Sequence, residues 1–509
     1  MGIRVGGTPM NIAGGIREFA VASPRSIAII DGDDRLTYAA LHERSSRWAN
    51  ALLSAGLREG SHVAVLSGNR LEYPEIAAGI AKAGMVMIPL NPRSASPEIS
   101  FILEHSKASA LVLDDALSSI AAEGLEACAI GTVFAIGGEQ LGPSYEAAID
   151  AASSIDPMSD VDERDPFAIA YTSGTTGDPK GVMISHRSRC LTFMASALEW
   201  GLGPGLNTVA VAPMYHGAGF AFAYASLFTG GTVSMLRSFD PEHLLAMVER
   251  DRATSVFLVP THATFMRSLG EDTIRSYDTT SLSTMYFNAA PFPQALKEWT
   301  IGMFPSAGIH ELYGSTEAGI VSNLRPEWQL DKASCVGPPW FMTEVRVVDT
   351  EGNIVERGEP GELYSRSPYL MNGYFENPEA TAAATTEDGF FSAGDIVIQD
   401  EDNFLYIVDR VKDLIISGGA NIYPREVEEV LMTHPDVTDV AVIGVPDAEW
   451  GERVTAVVVG DVDTDELAAL ARKNLSGYKV PRAFETMDLL PRNASGKVLK
   501  RDLRSTFGV

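Results

Sequence analysis

The sequence predicts an α/β protein with two cores, a large N-terminal one and a small α+β one at the C-terminal end. Three observations carry this. The chain has 509 residues, more than one hydrophobic core ordinarily serves. Up to about residue 400, short apolar runs alternate with amphipathic helical stretches, the pattern of an α/β sheet protein. After Asp409 the pattern changes, and about a hundred residues remain, enough for a separate small domain.

Taken in order, His62-Val-Ala-Val-Leu66 and Met85-Val-Met-Ile-Pro89 read as strands. Phe167-Ala-Ile-Ala-Tyr171 is another, followed by a glycine-rich loop. A helix then starts near Ser185, carries Cys190, Met194, Ala197 and Leu198 at helical spacing, and ends by Gly201. Leu405-Tyr-Ile-Val408 is strand-like and runs into the charged stretch Asp409-Arg-Val-Lys412, where the domain boundary is expected: 1–409 for the large domain and 410–509 for the small one. Beyond it, Pro424 opens a short acidic helix, Val440-Ala-Val-Ile443 and Val454-Thr-Ala-Val-Val-Val459 read as strands, and Asp465 to Lys473 as a helix.

Charge narrows the function. The formal net charge of -28 argues against a nucleic-acid partner, which requires a basic face. An anionic substrate must then be held by local devices: backbone amides, a few placed cations, a metal ion. The three cysteines, Cys128, Cys190 and Cys335, fit neither a disulfide framework nor a paired-spacing zinc site. With no basic-then-apolar leader at the start and no apolar run of about 18 residues, a soluble cytoplasmic protein without a transmembrane segment is expected. Oligomeric state is open, a homodimer being one option.

The loop Thr172-Ser-Gly-Thr-Thr-Gly-Asp-Pro-Lys-Gly181 packs glycines, hydroxyls and one lysine behind a strand. Glycines bring backbone amides close to an oxyanion, hydroxyls add donors, and Lys180 supplies a mobile cation. It is not a Walker loop, because Gly177 and Lys180 are not adjacent and no Ser or Thr follows the lysine. By composition alone such a stretch is an ordinary surface loop. Its order of residues, however, resembles the signature loop of the AMP-forming adenylating enzymes, the family of acyl-CoA synthetases, peptide-synthetase adenylation domains and beetle luciferases, and further motifs occur in that family's order along nearly the whole chain.

The resemblance implies a large domain of stacked α/β sheets with a β-barrel-like subdomain, and a small mobile C-terminal domain hinged near Lys412. It implies ATP, Mg²⁺ and coenzyme A, and an acid:CoA ligase acting through an acyl-AMP intermediate on a fatty or aromatic acid. In the phosphate loop it marks Thr172, Ser173, Gly174, Thr175, Thr176, Gly177 and Lys180. Pro213-Met-Tyr-His-Gly-Ala-Gly-Phe220 matches the family's aromatic-His segment, with His216 at the mouth of the acyl pocket. In Glu311-Leu-Tyr-Gly-Ser-Thr-Glu317, Tyr313 and Gly314 would lie at adenine, Thr316 at the α-phosphate, and Glu317 on the metal; one carboxylate suffices, since Mg²⁺ takes few protein ligands. Asn288, Ala289 and Ala290 stand beside the adenine where two glycines are common; Asn288 has two readings, a bond to substrate or to a backbone carbonyl.

Ser392-Ala-Gly-Asp395 is similar to the ribose-binding motif, with Ala393 in place of threonine, and Arg410 would complete the ribose contact although Asp409 replaces the usual glycine. Lys497, in Pro491-Arg-Asn-Ala-Ser-Gly-Lys497, is the lysine that enters for adenylation. Gly419 would flank the pantetheine tunnel, and Arg93, Trp450, Tyr478 and Arg482 would meet the coenzyme A nucleotide. Between Pro213 and Phe239 there is no Asp or Glu to pair an amino acid's ammonium, so an uncharged acyl group is favoured. Alternatives are a stand-alone enzyme loading a carrier protein, a luciferase-like oxygenase, and an inactive nucleotide-binding scaffold; the last is disfavoured because Lys180, Glu317, Asp395, Arg410 and Lys497 are all present.

Overall fold

Strands in the N-terminal part are covered on both faces, which is why they read as unbroken apolar runs. In His62–Leu66, Val63 and Val65 enter one core while Ala64 and Leu66 enter another. The computed structural model describes residues 9–125, 128, 130–172, 179–418, 420–447, 449–492 and 498–508. They divide into two units. The first comprises Met1–Thr172, Pro179–Glu344 and Arg366–Phe391; the second comprises Val345–Ser365 and Ser392–Val509, together with Ser173–Asp178, which lie outside the described residues.

The first unit holds a seven-stranded and an eight-stranded sheet. In the seven-stranded sheet, Val86–Leu90, His62–Leu66, Ala110–Asp114 and Thr132–Ile136 are parallel, and a hairpin of β1 (Pro166–Thr172) and β2 (Lys180–Ser185) is joined to them through β1. After β2 comes α1 (His186–Trp200), capped by the Ser185 hydroxyl at its start and by Gly201 at φ +63 at its end, as the sequence predicts. Of the apolar residues at helical spacing, Cys190 is buried but Met194 and Leu198 are 47% and 76% exposed, and Arg189, Phe193 and Trp200 complete the buried face. The residues that pack are those facing α2 (Gly217–Phe228), through Phe193 on Phe220 and Tyr224 and through Trp200 on Phe222.

The eight-stranded sheet ends on the antiparallel hairpin of β3 (Gly308–Ser315) and β4 (Gly319–Leu324). One shared core, containing Val63, Met87, Ala210, Val233, Phe257 and the buried residues of α1 and α2, lies between the two sheets, while Val209 and Val211 pack into a second core on the far face. These are the stacked α/β sheets of the expected fold class.

The second unit is antiparallel in character. Glu344–Val348, Pro360–Arg366, β5 (Asp395–Gln399) and β6 (Leu405–Arg410) form a four-stranded sheet. A five-stranded sheet comes next, centred on Asp439–Asp447 and Gly451–Val459. Val440 and Val442 face a core with α3 (Pro424–Leu431) and the helix Thr464–Asn474, whereas Ala441, Ile443 and Val445 face the one that holds Leu503 of the last helix. The strand and helix positions read from Pro424 to Lys473 are met. Among the described residues, no helix is long and apolar enough to cross a membrane.

Candidate active site

In the first unit the phosphate-loop motif hangs from the β1/β2 hairpin, whose last register pair is Thr172 opposite Lys180. Ser173, Gly174, Thr175, Thr176 and Gly177 lie outside the described residues. The Lys180 ammonium stands 4.9 Å from the centroid of the Tyr374 ring. Tyr374 is on a short strand paired with β2 and donates its hydroxyl to Glu317 Oε1 at 3.1 Å. The Glu317 carbonyl accepts from the Met371 amide at 2.8 Å. Lys180 and Glu317, 137 positions apart in the chain, are thus joined through one buried tyrosine that the sequence reading missed. Burial, and then the Glu317 carboxylate, push the Tyr374 phenol well above its ordinary range, so it stays a donor.

Thr316 and Glu317 sit in the tight turn between β3 and β4, where the Ser315 hydroxyl accepts from the Ala318 amide. Tyr313 and Gly314 are on β3, half-buried. The aromatic-His segment enters from elsewhere: Tyr215 and His216 have ring centroids 4.6 Å apart, and α2 starts at Gly217 with His216 as its N-cap, whose side chain does not cap the helix. Gly217 lies against Thr316, since a Cβ there would be 3.7 Å from Thr316 Oγ1. His216, Thr316 and Glu317 therefore belong to one neighbourhood.

A second residue missed by sequence reading supports that segment. Asn69 is buried and donates to the carbonyls of Ala210, Ala212 and Leu236, while its Oδ1 accepts from the Met214 amide at 2.8 Å. Its four bonds hold the chain as it leaves Asn207–Ala210 toward His216. The only signal in the text is a polar Ser67-Gly-Asn69 after an apolar strand. Burial raises the Tyr215 phenol, and Arg93 acts on it electrostatically, although Arg93 itself is exposed.

Asn288 Oδ1 accepts from the Ala289 amide, a bond to the backbone different from the carbonyl contact the sequence reading offered. Ala289 has φ +76, a conformation glycine adopts without cost and alanine does not. Ala289 and Ala290 are exposed.

In the second unit, Asp395 and Arg410 are cross-strand partners on β5 and β6, with Arg410 Nε donating to Asp395 Oδ1 at 2.7 Å. Asp409 is buried and does more than replace a glycine. Its carboxylate accepts from the Arg410 amide at 2.7 Å and from the Arg425 amide at 2.9 Å, so it caps the start of α3; burial raises its pKa. The Arg482 guanidinium lies 3.9 Å over the Trp450 ring. Gly418 lies on that ring at φ +58, where a Cβ would approach it to 2.9 Å. Tyr478 is exposed on the same unit, with the Lys479 ammonium 5.7 Å from its ring. Gly419 and Lys497 lie outside the described residues.

Residues 16–375 match the family described as AMP-binding enzyme, and residues 426–497 match the AMP-binding enzyme C-terminal domain. A feruloyl-CoA synthase of an Amycolatopsis species is 39% identical over 492 residues, 96% of this chain and 97% of its own length. A long-chain-fatty-acid–CoA ligase of Mycobacterium tuberculosis is 35% identical over 98% of each chain. The o-succinylbenzoate CoA synthetase of Bacillus subtilis, solved in complex with its acyl-adenylate intermediate, superposes with a TM-score of 0.87 at 30% identity, covering 96% of this chain and 98% of its own.

Proposed function

We infer the reaction from a membership that these matches make plain: the chain belongs to the AMP-binding enzyme family. It is an ATP-dependent, AMP-forming acid:CoA ligase. A carboxylate attacks the α-phosphorus of ATP, an acyl-phosphate bond forms and pyrophosphate leaves; the thiol of coenzyme A then attacks the acyl carbon and AMP leaves. The acid is hydrophobic, fatty or aromatic, in keeping with the relatives' substrates. The observation that carries the reading most directly is the connected set Lys180, Tyr374 and Glu317 at the root of the glycine-rich loop.

In this reading the loop from Thr172 to Lys180 grips the phosphates that leave. Lys180 is a cation held over an aromatic face, which keeps it directed with no carboxylate partner among the described residues. Thr316 donates to the α-phosphate, and His216 stands at the entrance of the acyl pocket. Asn288, Ala289, Ala290, Tyr313 and Gly314 border the adenine, and the Asp395/Arg410 pair holds the ribose. Mg²⁺ fits the donors present. Among the described residues there is no group of three or more metal-ligating side chains, and Glu317 is a half-exposed carboxylate with one oxygen already oriented, the pattern of an ion completed by substrate phosphates. Such an ion would offset phosphate charge.

Attack of one anion on another needs a cation at the reacting atoms, the role assigned to Lys497. The small domain, 410–509, turns about Lys412 to withdraw it and admit the thiol. Arg93, Gly419, Trp450, Tyr478 and Arg482 serve the coenzyme A nucleotide and pantetheine; the Arg482/Trp450 stack supports this, since stacked cation and ring offer both charge and a π-face. The test is a panel of carboxylic acids with ATP, Mg²⁺ and CoA, read by mass spectrometry. AMP and acyl-CoA are expected. ADP in place of AMP would overturn the reading, and acyl-AMP discharged by a carrier protein but not by CoA would replace the acceptor.

A further inference from the structure

Among the described residues two lysines are fully buried, Lys82 on the helix Glu72–Lys82 and Lys297 on the helix Gln294–Met303. The Lys297 ammonium lies 2.6 Å from Glu311 Oε2 on β3, and Glu311 is itself buried. Taking two charges out of water is costly, and an apolar pair of similar volume would serve the core as well or better. A buried pair of this kind therefore says little about stability and more about fixing one arrangement of the elements that carry it. Here those elements are the two sides of the adenine site.

Residues 288–291 leave the strand Thr284–Phe287 and lead into the Lys297 helix. Asn288 is half-buried and Ala289, Ala290 and Pro291 are exposed, but the flanking Phe287 and Phe292 are buried, with ring centroids 4.3 Å apart. This contact closes the segment at its base. The Lys297 ammonium is 5.9 Å from the Phe292 ring centroid, and Glu311 is the register partner of Phe287 on the neighbouring parallel strand. Tyr313, two residues on from Glu311, lies on the same face of β3. The ion pair is thus the joint at which the strand before the segment, the helix after it and β3 meet. Ala289 at φ +76 sits directly above this joint in the chain, in a conformation that persists only where its surroundings hold it.

We propose that Lys297 is a positioning residue for the adenine of ATP: through Glu311 it holds residues 288–291 and Tyr313 as a fixed pair of walls, and so sets the affinity for the base without touching it. The proposal rests on the ligase reading above and on the adenine border that reading assigns. Its effect is confined to the base, because the loop that grips the leaving phosphates hangs from the β1/β2 hairpin and the acid enters beside the start of α2, neither of which carries a member of the pair. Misplacing a wall of a binding site lowers affinity for the group that it borders even when the wall itself stays folded.

The test separates position from stability by removing one charge and then both. Acyl-CoA formation by the full chain, with the acid that turns over best, gives kcat, the KM for ATP and for the acid, and the inhibition constants of AMP and of pyrophosphate. Lys297→Met strands the Glu311 carboxylate in the core and is expected to lower the thermal midpoint by roughly 5 °C; adding Glu311→Leu is expected to bring it back to within about 2 °C of wild type. In the double variant the KM for ATP and the inhibition constant of AMP are expected to rise about tenfold. The KM for the acid, the inhibition constant of pyrophosphate and kcat at saturating ATP should change less than about threefold. A purely structural pair predicts no change in any of these constants once the midpoint has recovered. Unchanged ATP and AMP constants in the double variant overturn the proposal, as does an equal rise for AMP and pyrophosphate, which would assign the pair to the nucleotide site as a whole. A double variant as destabilised as Lys297→Met overturns it as well, since the core itself would then require the pair. Wild type that forms no AMP with any acid would instead sink the ligase reading, and the proposal with it.

Discussion

Replacing Tyr374 with phenylalanine removes a single interaction at the centre of the site. The hydroxyl that donates to Glu317 Oε1 at 3.1 Å is lost, while the ring 4.9 Å from the Lys180 ammonium stays. A hydrogen bond to a charged acceptor contributes about 1.5–3 kcal/mol when buried. Tyr374 is buried but Glu317 is half-exposed, so water recovers part of the loss and the lower end applies, about 1.5 kcal/mol, or roughly tenfold. If Glu317 positions a metal ion, the tenfold appears in the Mg²⁺ dependence of pyrophosphate release at fixed ATP, with the KM for the acid unchanged. Tyr374→Leu removes the ring as well and should add a rise in the KM for ATP, by a further two- to fivefold, as the cation over the ring is worth about 0.5–1 kcal/mol at an exposed site. The reasoning fails if Tyr374→Phe matches wild type across the Mg²⁺ titration, or if it loses as much as Glu317→Gln.

Asn69→Ala deletes a buried group with four hydrogen bonds and leaves the Met214 amide unsatisfied; a loss of about 3 kcal/mol in unfolding free energy and a raised KM for the acid are expected, and an unchanged denaturation midpoint would refute the clamp. Lys82 is buried among the His42 carbonyl and the Ser45 and Ser46 hydroxyls, and burial lowers its pKa from 10.5 to about 7. The unfolded chain therefore holds this proton at pH values where the folded one has released it. Stability should rise from pH 7 to 9 by up to about 1.4 kcal/mol per pH unit, with the penalty fully present below 7, and chemical denaturation of Lys82→Met should show a flatter profile; identical slopes would count against it. Lys497→Ala should cripple acyl-AMP formation far more than thiolysis of supplied acyl-AMP, and equal losses in the two half-reactions would contradict its assigned role.

Local chemistry made part of this molecule legible from its text. Ser185 before α1 and Gly201 after it mark the helix ends because a hydroxyl and a left-handed residue satisfy terminal backbone groups wherever the helix packs. The glycine-rich loop was legible for the same reason, since it leaves one strand and returns on another, with Thr172 and Lys180 paired at its root. The strands of the second unit, Val440–Ile443 and Val454–Val459, showed as nearly unbroken apolar runs because each face of that sheet has its own core. Which face of α1 is buried was not legible, for an equally local reason. Met194 and Leu198 share helical spacing with Cys190, but spacing defines several apolar stripes on a helix rich in small residues, and only contact with α2 selects among them.

What stayed illegible is polar and long-range. Tyr374 reaches Glu317 across 57 positions and Asn69 reaches Met214 across 145, distances over which no periodicity operates. Asp409 shows how this changes the meaning of a residue. As text it is a departure from a glycine beside the arginine expected at the ribose; in the fold it accepts from two amides, one on β6 and one at the start of α3, and so ties the strand that carries Arg410 to that helix. A carboxylate raised by burial is worth keeping there only if those two amides need it, because a glycine would leave both without this acceptor.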